Sequence, residues 1–244
     1  DHKGVSKTYK ISKDGSFETL LPKGEYELKA TTSKETEYGT TEYRFEKSYT
    51  FTASRDLNIK LEKVKEYGIE IVNDLEKKSA NQGERVRYFV QIKNTGNTKD
   101  RFQLSSTIDW DVKYSDQNIT LEPRETKIVE VNVHVDENAT VDHPSVILKI
   151  DSANSDKSLE KELPLEVKQV YGVKLKPEIT NKKYNGGIIT YTVNLNNTGN
   201  GKDKYSLNIV NKNELSNLGW DASITNRTDE IKAHEEKSIE ISLT

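Results

Sequence analysis

The sequence predicts an all-β fold built from tandem β-sandwich modules. Apolar and polar residues alternate over stretches of six to ten residues, Gly, Asn, Asp and Pro separate these stretches, and one stretch occurs twice. The clearest alternation runs through Val86, Tyr88, Val90 and Ile92, and again through Ile189, Tyr191, Val193 and Leu195. A period of two over this length indicates a strand with one buried face, and many such strands between turn residues are typical of a sandwich.

The duplicated stretch is the most informative feature of the chain. Residues 86–97 return as residues 189–200, an offset of 200 − 97 = 103 residues. The match continues through three further pairs, namely 100–104 with 203–207, Trp110 with Trp220, and 128–133 with 238–243. A repeat of this kind is one folding unit copied in tandem. Such arrays usually extend, space or present something, which favours a structural or binding role over catalysis.

Residues 1–64 differ from the repeat and predict a first, separate module. Five short strands are expected, at 4–11, 16–20, 25–32, 42–52 and 56–62. Asp14-Gly15 and Pro22-Lys23-Gly24 predict turns. Phe17, Leu20, Tyr26 and Leu28 are the expected core residues. No helical stripe of useful length is present, although Leu75 to Ala80 could form one helical turn.

The predicted modules are therefore 1–64, 65–168 and 169–244. The linkers at 62–67 and 168–171 are short and are not rich in Gly or Ser, so we expect a semi-rigid rod of three modules. Tyr67-Gly68 and Tyr171-Gly172 occupy matching positions and predict a repeated hinge geometry. Because Thr244 aligns with His134, the second copy lacks its last third, and we expect the chain to be a fragment that is incomplete at both ends.

Part of the first module resembles a known family. The segment Gly15–Leu28 contains Gly-x-Phe, an apolar strand and Pro-x-Gly-x-Tyr. This pattern resembles the carboxypeptidase regulatory-like family, which implies a small transthyretin-type β-sandwich. The resemblance covers about half of the module.

The two repeats carry a second resemblance. In the first copy, Asn94-Thr95-Gly96-Asn97 is followed by Trp110, by Leu121-Glu122-Pro123 and by the valine strand 129–135. This pattern is similar to the immunoglobulin-like module called alpha-galactosidase-associated, which is widespread in archaeal surface-layer-family proteins. It implies an immunoglobulin-like sandwich over the whole first copy and over the first two-thirds of the second. The second copy departs from the pattern at Ala233, where the first has Pro123.

Composition limits the classes of function. Lys+Arg 37 nearly balances Asp+Glu 40, and the net charge of −3 provides no strong field for nucleic acid or for an anionic membrane. The chain has no cysteine and no methionine, so disulfides and thiol chemistry are excluded. No nucleophile elbow, phosphate-binding loop or His-Glu-x-x-His motif occurs, and we therefore expect no enzyme, no catalytic residues and no cofactor.

Metal sites are also not expected. The four histidines have no metal-ligand spacing that would indicate zinc: they are His2, His134, His143 and His234. Five acidic turn residues are candidate calcium ligands at a module junction: Asp109, Asp111, Asp136, Glu137 and Asp142. No Asp-x-Asp-x-Asp-Gly loop is present, so solvated turn acids are the favoured interpretation.

The remaining motifs have structural and functional interpretations. In both Asn-Thr-Gly-Asn runs we expect the glycine to take positive φ and the Asn side chains to bond the turn backbone. Trp110 and Trp220 are expected between the sheets as core residues, with sugar stacking as the alternative. Four Asn-x-Thr sequences are candidate N-glycosylation sites of a secreted protein: Asn118, Asn138, Asn196 and Asn226.

Together these features predict a structural, glycosylated segment of a large extracellular cell-surface protein, in a surface layer (S-layer) or a stalk. The expected partners are other copies or neighbouring modules of the same surface protein, with glycans as further candidates, and neither nucleic acid nor membrane. One alternative is a spacer region of a secreted hydrolase. Another is an adhesin or carbohydrate-binding module that uses exposed aromatics such as Tyr38, Tyr43 or Phe89.

Overall fold

The computed structural model describes residues 6–12, 15–37 and 39–244, and the chain divides into two compact units, Asp1–Glu66 and Tyr67–Thr244. Regular structure in the described residues is almost entirely β-strand, arranged in several antiparallel sheets and one parallel pair. This confirms the predicted all-β, sandwich-type fold class. None of the described helices is long and apolar enough to cross a membrane.

The first unit is built around a long hairpin. Strand β1 (Gly24–Thr36) pairs with β2 (Gly39–Phe51), and β3 (Glu62–Lys63) adds to β2. The strands predicted at 25–32 and 42–52 are confirmed and are longer than expected. Tyr26 and Leu28 are half-buried on one face of the hairpin, in line with the alternation of the sequence.

The rest of the first unit does not follow the prediction. Residues 6–11 and 16–20 form no strand, residues 56–61 form none either, and residues 4–5 lie outside the described part of the chain. Phe17 is 47% exposed and Leu20 is 97% exposed, so neither belongs to a core. The described residues of this unit form one sheet rather than two layers, because short alternating segments without a hydrogen-bonded neighbour do not become strands. Of the predicted Asp14-Gly15 turn, Asp14 is not described, while Gly15 has φ +83° and donates to the Ser12 carbonyl.

The first repeat is a two-layer sandwich. Its strands are β4 (Ile69–Ile71), β5 (Lys78–Ala80), β6 (Arg85–Asn94), β7 (Asp100–Ser106), β8 (Val112–Tyr114), β9 (Asn118–Leu121), β10 (Thr126–His134), β11 (Val146–Ser152), β12 (Ser158–Leu163) and β13 (Leu165–Val167). One sheet has the order β4-β6-β10-β8 and the other has the order β12-β11-β7-β9. Strands β5 and β13 form a parallel pair, so the helical turn expected at Leu75 to Ala80 is wrong.

The core of this repeat lies between the two sheets. Val90 faces Val129 across the first sheet, and Leu104 faces Ile150 across the second; all four are fully buried. Each such side chain contributes about 1.5–3 kcal/mol relative to an exposed one. The alternation read from the sequence therefore identified the inward-facing residues of β6.

The second repeat has the same first sheet but a reduced second one. Its elements are β14 (Val173–Pro177), β15 (Ile189–Asn197), α1 (Lys212–Asn217), β16 (Ala222–Ile224) and β17 (Glu236–Leu243). The sheet has the order β14-β15-β17-β16, and Val193 faces Ile239 as Val90 faces Val129. The counterpart of β7 forms only two isolated bridges, Asp203 to Ile231 and Ser206 to Arg227.

Candidate functional site: the repeated corner and the junction between repeats

The Asn-Thr-Gly-Asn run makes a corner at the end of the central strand of each repeat. In the first copy, the Asn94 side chain is fully buried, and its Oδ1 accepts from the Gly96 N–H at 2.9 Å. Its Nδ2 donates to the carbonyls of Thr98 at 2.8 Å and of Leu121 at 3.1 Å. The Asn94 side chain thus hydrogen-bonds to three backbone groups that have no strand partner at the corner. Bonding of the turn backbone by this Asn was predicted from the motif.

The second copy repeats these bonds. Asn197 Oδ1 accepts from the Gly199 N–H at 2.9 Å, and Nδ2 donates to the Gly201 carbonyl at 2.8 Å. The same Nδ2 lies 3.0 Å from the carbonyls of Ile231 and Lys232. In both copies the first Asn of the motif therefore bonds the glycine two residues on and the carbonyl four residues on.

The segment that precedes each repeat is hydrogen-bonded to this corner. The Thr95 N–H donates to the Gly68 carbonyl at 3.1 Å, and the Thr198 N–H donates to the Gly172 carbonyl at 3.0 Å. A Cβ at Gly68 would lie 2.3 Å from Thr95 Oγ1, and one at Gly172 would lie 2.5 Å from Thr198 Oγ1. A side chain at either position would therefore displace the threonine hydroxyl of the corner, which favours glycine in each Tyr-Gly pair.

The predicted role of the corner glycine is wrong in its detail. Gly199 does not take a positive φ. A Cβ there would lie 2.5 Å from the Val170 carbonyl oxygen and 3.2 Å from the Gly172 nitrogen. Glycine is thus required because the linker backbone approaches closely, not because the turn is left-handed.

Asn200 joins the two repeats. It is 1% exposed, its Oδ1 accepts from the Val170 N–H at 2.7 Å, and its Nδ2 donates to the Lys168 carbonyl at 2.9 Å. Its backbone N–H donates to the Val170 carbonyl at 3.1 Å, and its carbonyl accepts from the Val141 N–H at 3.0 Å. The linker at 168–170 and a loop of the first repeat are therefore both hydrogen-bonded to one residue of the second.

The tryptophans are not the core residues that the sequence predicted. Both are half-buried, and the largest fully buried side chains of the first repeat are Tyr88 and Phe102. Trp110 packs against the edge of the core with its ring 5.1 Å from that of His143. Trp220 makes an edge-to-face contact with Tyr184 at 4.8 Å. Each tryptophan ring therefore contacts the ring of a loop residue.

The four sequons differ in accessibility. Asn118, Asn138 and Asn226 are exposed. Asn196 is half-buried beside the inward-facing Leu195, and its Oδ1 is buried without a hydrogen-bond partner. Three of the candidate acceptor side chains are therefore open to solvent, and one is partly covered.

The candidate metal ligands are not brought together. No group of three or more His, Asp or Glu side chains suited to a metal occurs within residues 6–12, 15–37 and 39–244. Asp111 lies near Arg85 and Lys113, at 3.7 and 3.4 Å, and Asp136 Oδ1 accepts from the Asn138 N–H at 2.8 Å.

Two of the described histidines make local contacts with backbone carbonyls. His134 contacts the Gly83 carbonyl at 2.9 Å through Nε2, and His143 contacts the Pro144 carbonyl at 2.7 Å through Nδ1. His234 lies in a turn with φ +59°. His2 lies outside the described residues.

The two described aromatics proposed for sugar binding, Tyr43 and Phe89, belong to different units of the chain. Tyr38 lies outside the described residues. Tyr43 is half-buried on β2, where it lines a shallow depression with Thr41 and Lys63. Phe89 is 55% exposed on β6, in the other unit of the chain.

One feature of both repeats was missed from the sequence. Arg124 and His234 occupy matching turn positions with φ +64° and +59°, and each turn closes through an N–H donated three residues back, from Glu125 to Glu122 and from Glu235 to Lys232. A positive φ at the third residue is the geometry of a type II turn. The Pro at the second position of the first copy was the available signal.

Two buried tyrosines have perturbed ionisation. Desolvation by burial raises the pKa of Tyr88 to about 12, and burial has the same effect on Tyr114, also to about 12. The Tyr88 hydroxyl donates to the Pro164 carbonyl at 2.9 Å, whereas the Tyr114 hydroxyl is buried without a partner.

Comparison with known proteins gives little further information. No family model matches the chain, and no curated protein matches it. The chain is similar to the crystal structure of a protein of unknown function from Porphyromonas gingivalis W83, with 15% identity over 72% of this chain and 82% of the other, at a TM-score of 0.28. It is also similar to the crystal structure of the YadV chaperone, with 11% identity over 71% of this chain and 84% of the other, at a TM-score of 0.28.

Proposed function

We propose that this chain is a structural segment of a large extracellular cell-surface protein, in a surface layer or a stalk. The observation that carries the proposal is the junction at Asn200, where one buried side chain and its own backbone bond to Lys168, Val170 and Val141. A junction of this kind holds two copied modules in one orientation. Fixed orientation between copies is what a spacer requires and what a flexible tether lacks.

The connection that precedes each repeat is also duplicated, which supports the same structural role. Gly68 and Gly172 receive the same backbone bond from the corner that follows them, with donors Thr95 and Thr198. The connection is thus part of the copied unit, and further copies could be added with the same geometry. Units that interact mainly with their neighbours form extended arrays.

The balanced surface charge is also consistent with a solvent-exposed segment that does not bind polyanions. Positive and negative side chains on neighbouring strands form ion pairs, as between Lys29 and Glu46 or between Arg87 and Glu130. Pairs of this kind keep the outer face of a sheet solvated.

The location is tested by immunogold labelling of native cell envelopes with an antibody to residues 65–168, imaged by cryo-electron tomography. We expect dense labelling on a regular two-dimensional lattice or along surface stalks. Sparse labelling, or labelling of secreted material alone, would refute the proposal and would favour the hydrolase spacer or the adhesin.

The junction is tested on the purified chain. Because the chain has no cysteine, spin labels can be attached at Lys161→Cys and Glu240→Cys, two exposed positions in different repeats. The distance distribution from double electron–electron resonance should be narrow and should broaden in Asn200→Ala. The matched control is Asn211→Ala, since Asn211 is exposed and makes no side-chain cap bond. Equal widths for the two variants would show that Asn200 does not set the orientation.

A further inference from the structure

The four Asn-x-Thr sequences differ in more than the exposure of their asparagines. Because the motif requires Ser or Thr at its third position, an oligosaccharyltransferase must reach that hydroxyl as well as the acceptor amide. Transfer to a folded chain also requires a backbone that can enter the enzyme without leaving a sheet. These three conditions separate the four sequences.

Neither sequence of the second repeat meets all three conditions. Asn196 lies within β15, which is paired on both sides, and its Oδ1 is buried. Asn226 is exposed, but the hydroxyl of its sequence is not, since Thr228 is 6% exposed and its Oγ1 accepts from the Tyr205 N–H at 3.0 Å. A transferase would reach either sequence completely only after local unfolding.

Asn118 is exposed but is held in a sheet. It begins strand β9, which pairs with β7 through all four of its residues. Asn118 and Thr120 are exposed on one face of the strand, and Ile119 between them is 1% exposed in the core. To enter an enzyme, this sequence would have to leave the sheet and bring the Ile119 side chain into water, which disfavours transfer.

The third exposed acceptor, Asn138, lies outside the sheets. The sequence Asn138-Ala139-Thr140 belongs to the loop between β10 and β11. Thr140 is half-buried. Ala139 is 5% exposed, but its side chain is a single methyl group, so bringing it into water costs much less than exposing Ile119.

The hydrogen bonds at this sequence are mostly local. The Ala139 N–H donates to the Asp136 carbonyl at 3.0 Å, and the His143 N–H donates to the Thr140 carbonyl at 3.2 Å. From outside the loop, Gln82 Nε2 donates to the Ala139 carbonyl at 2.9 Å. The sequence can therefore leave the surface without the opening of a strand ladder.

Asp136 precedes this acceptor by two positions. Its Oδ1 accepts from the Asn138 N–H at 2.8 Å, a side-chain bond that bends the chain just before the acceptor. Asp136 is exposed, so its carboxylate can also pair with a cation of an approaching enzyme. Asp116 occupies the same position before Asn118, but its carboxylate lies 3.0 Å from Lys127 in an ion pair.

We propose that Asn138 is the N-glycosylation acceptor of the folded chain and that the transferase also binds the Asp136 carboxylate. The donor is an oligosaccharide on a lipid pyrophosphate carrier. Asn138 Nδ2 attacks the anomeric carbon of the first sugar and forms a C–N bond. The bond from that carbon to the phosphate oxygen of the carrier breaks, the carrier leaves with the electron pair, and Nδ2 loses one proton to a base of the enzyme.

The glycan is thereby attached to the loop that contacts the second repeat, where the Val141 N–H donates to the Asn200 carbonyl. Use of the site in the cell rests on the proposed extracellular role. Accessibility of the site on the folded chain does not, so the two can be tested apart.

The test is transfer in vitro by a purified single-subunit oligosaccharyltransferase, with a lipid-linked oligosaccharide, to the purified folded chain. Intact mass should show one added glycan, and glycopeptide mapping should locate it on Asn138. Occupancy at Asn138 should exceed occupancy at Asn118 by about tenfold or more, because β9 must open before Asn118 can react.

A tryptic digest of the chain supplies the same sequences without the fold. Peptides 114–124 and 128–149 carry Asn118 and Asn138, and we expect both to be glycosylated. The inference is overturned if the folded chain is modified at Asn118 as fast as at Asn138, or if the digest is modified and the folded chain is not. Modification of neither substrate overturns it as well, because the transferase would then not accept this sequence.

Three variants of the full chain complete the test. Asn118→Gln is the matched control and should leave occupancy at Asn138 unchanged, whereas Thr140→Ala should abolish it. Asp136→Asn keeps an oxygen that can accept from the Asn138 N–H but removes the charge, and it should slow transfer by about fivefold or more. An unchanged rate in Asp136→Asn would overturn the role of the carboxylate. Failure at Asn138 would leave the cell-surface role standing, since immunogold labelling tests location independently.

Discussion

Replacing Asn94 by alanine should destabilise the first repeat more than any surface change of the same kind. The side chain is 0% exposed and serves three backbone groups, the Gly96 N–H and the carbonyls of Thr98 and Leu121. Each bond contributes about 1 kcal/mol net, and a buried group left without a partner costs about 1–3 kcal/mol. We therefore expect the free energy of unfolding to fall by about 3 kcal/mol, a large part of the about 5–15 kcal/mol that holds a typical domain.

The assay is urea denaturation followed by tryptophan fluorescence in a Trp220→Phe background, so that Trp110 alone reports on the first repeat. The matched control is Asn138→Ala in the same repeat, because the Asn138 side chain is exposed. The control should change the free energy of unfolding by less than about 0.5 kcal/mol. If Asn94→Ala falls within the same range as the control, the corner bonds do not stabilise the repeat and the reasoning fails.

Three further predictions concern buried hydroxyls and a strained turn. Tyr114→Phe should leave the free energy of unfolding unchanged or slightly raised, because it removes a buried hydroxyl without a partner. Tyr88→Phe should lower the free energy of unfolding by about 1 kcal/mol, because it removes the bond to the Pro164 carbonyl. Urea denaturation of the two variants measures both effects. Both folded-state pKa values are raised to about 12, so the unfolded chain loses these protons near pH 10 while the folded chain keeps them. Stability should therefore fall as the pH rises from about 10 to about 12, and a double Tyr→Phe variant should reduce that slope in urea midpoints. His234→Gly should raise the free energy of unfolding by about 0.5–1 kcal/mol, because φ +59° is strained for any residue with a Cβ; a decrease would contradict this account.

The elements that could be predicted from the sequence are those specified by local pattern. Alternation gave the inward-facing residues of β6, and the Asn-Thr-Gly-Asn motif gave the bond from the Gly96 N–H to Asn94 Oδ1. In both cases the physical cause lies within a few residues of the chain.

The elements that could not be predicted depend on partners distant in sequence. Leu20 has an apolar side chain but no layer to pack against, and Trp220 packs on Tyr184 at the margin of its repeat. The junction bonds of Asn200 reach Lys168 and Val141 in the preceding repeat, and nothing in the four-residue motif identifies those acceptors and donors.

Helix α1 is a case where a signal was available but was not used. The offset between the copies changes from 103 residues at Leu104 and Leu207 to 110 at Trp110 and Trp220, which places an insertion between them. The helix Lys212–Asn217 lies within that insertion. It buries no residue, so no apolar stripe could have predicted it.

The two copies have the same corner but cores of very different size. Among the described residues, the core of the first repeat contains nineteen buried apolar side chains and that of the second contains three. The corner bonds are nevertheless the same, 2.9 Å from Asn94 to Gly96 and 2.9 Å from Asn197 to Gly199. Corner geometry therefore does not depend on how completely the sandwich is filled. Because the junction is built on this corner, the bonds of Asn200 to the preceding repeat form although the second core is small.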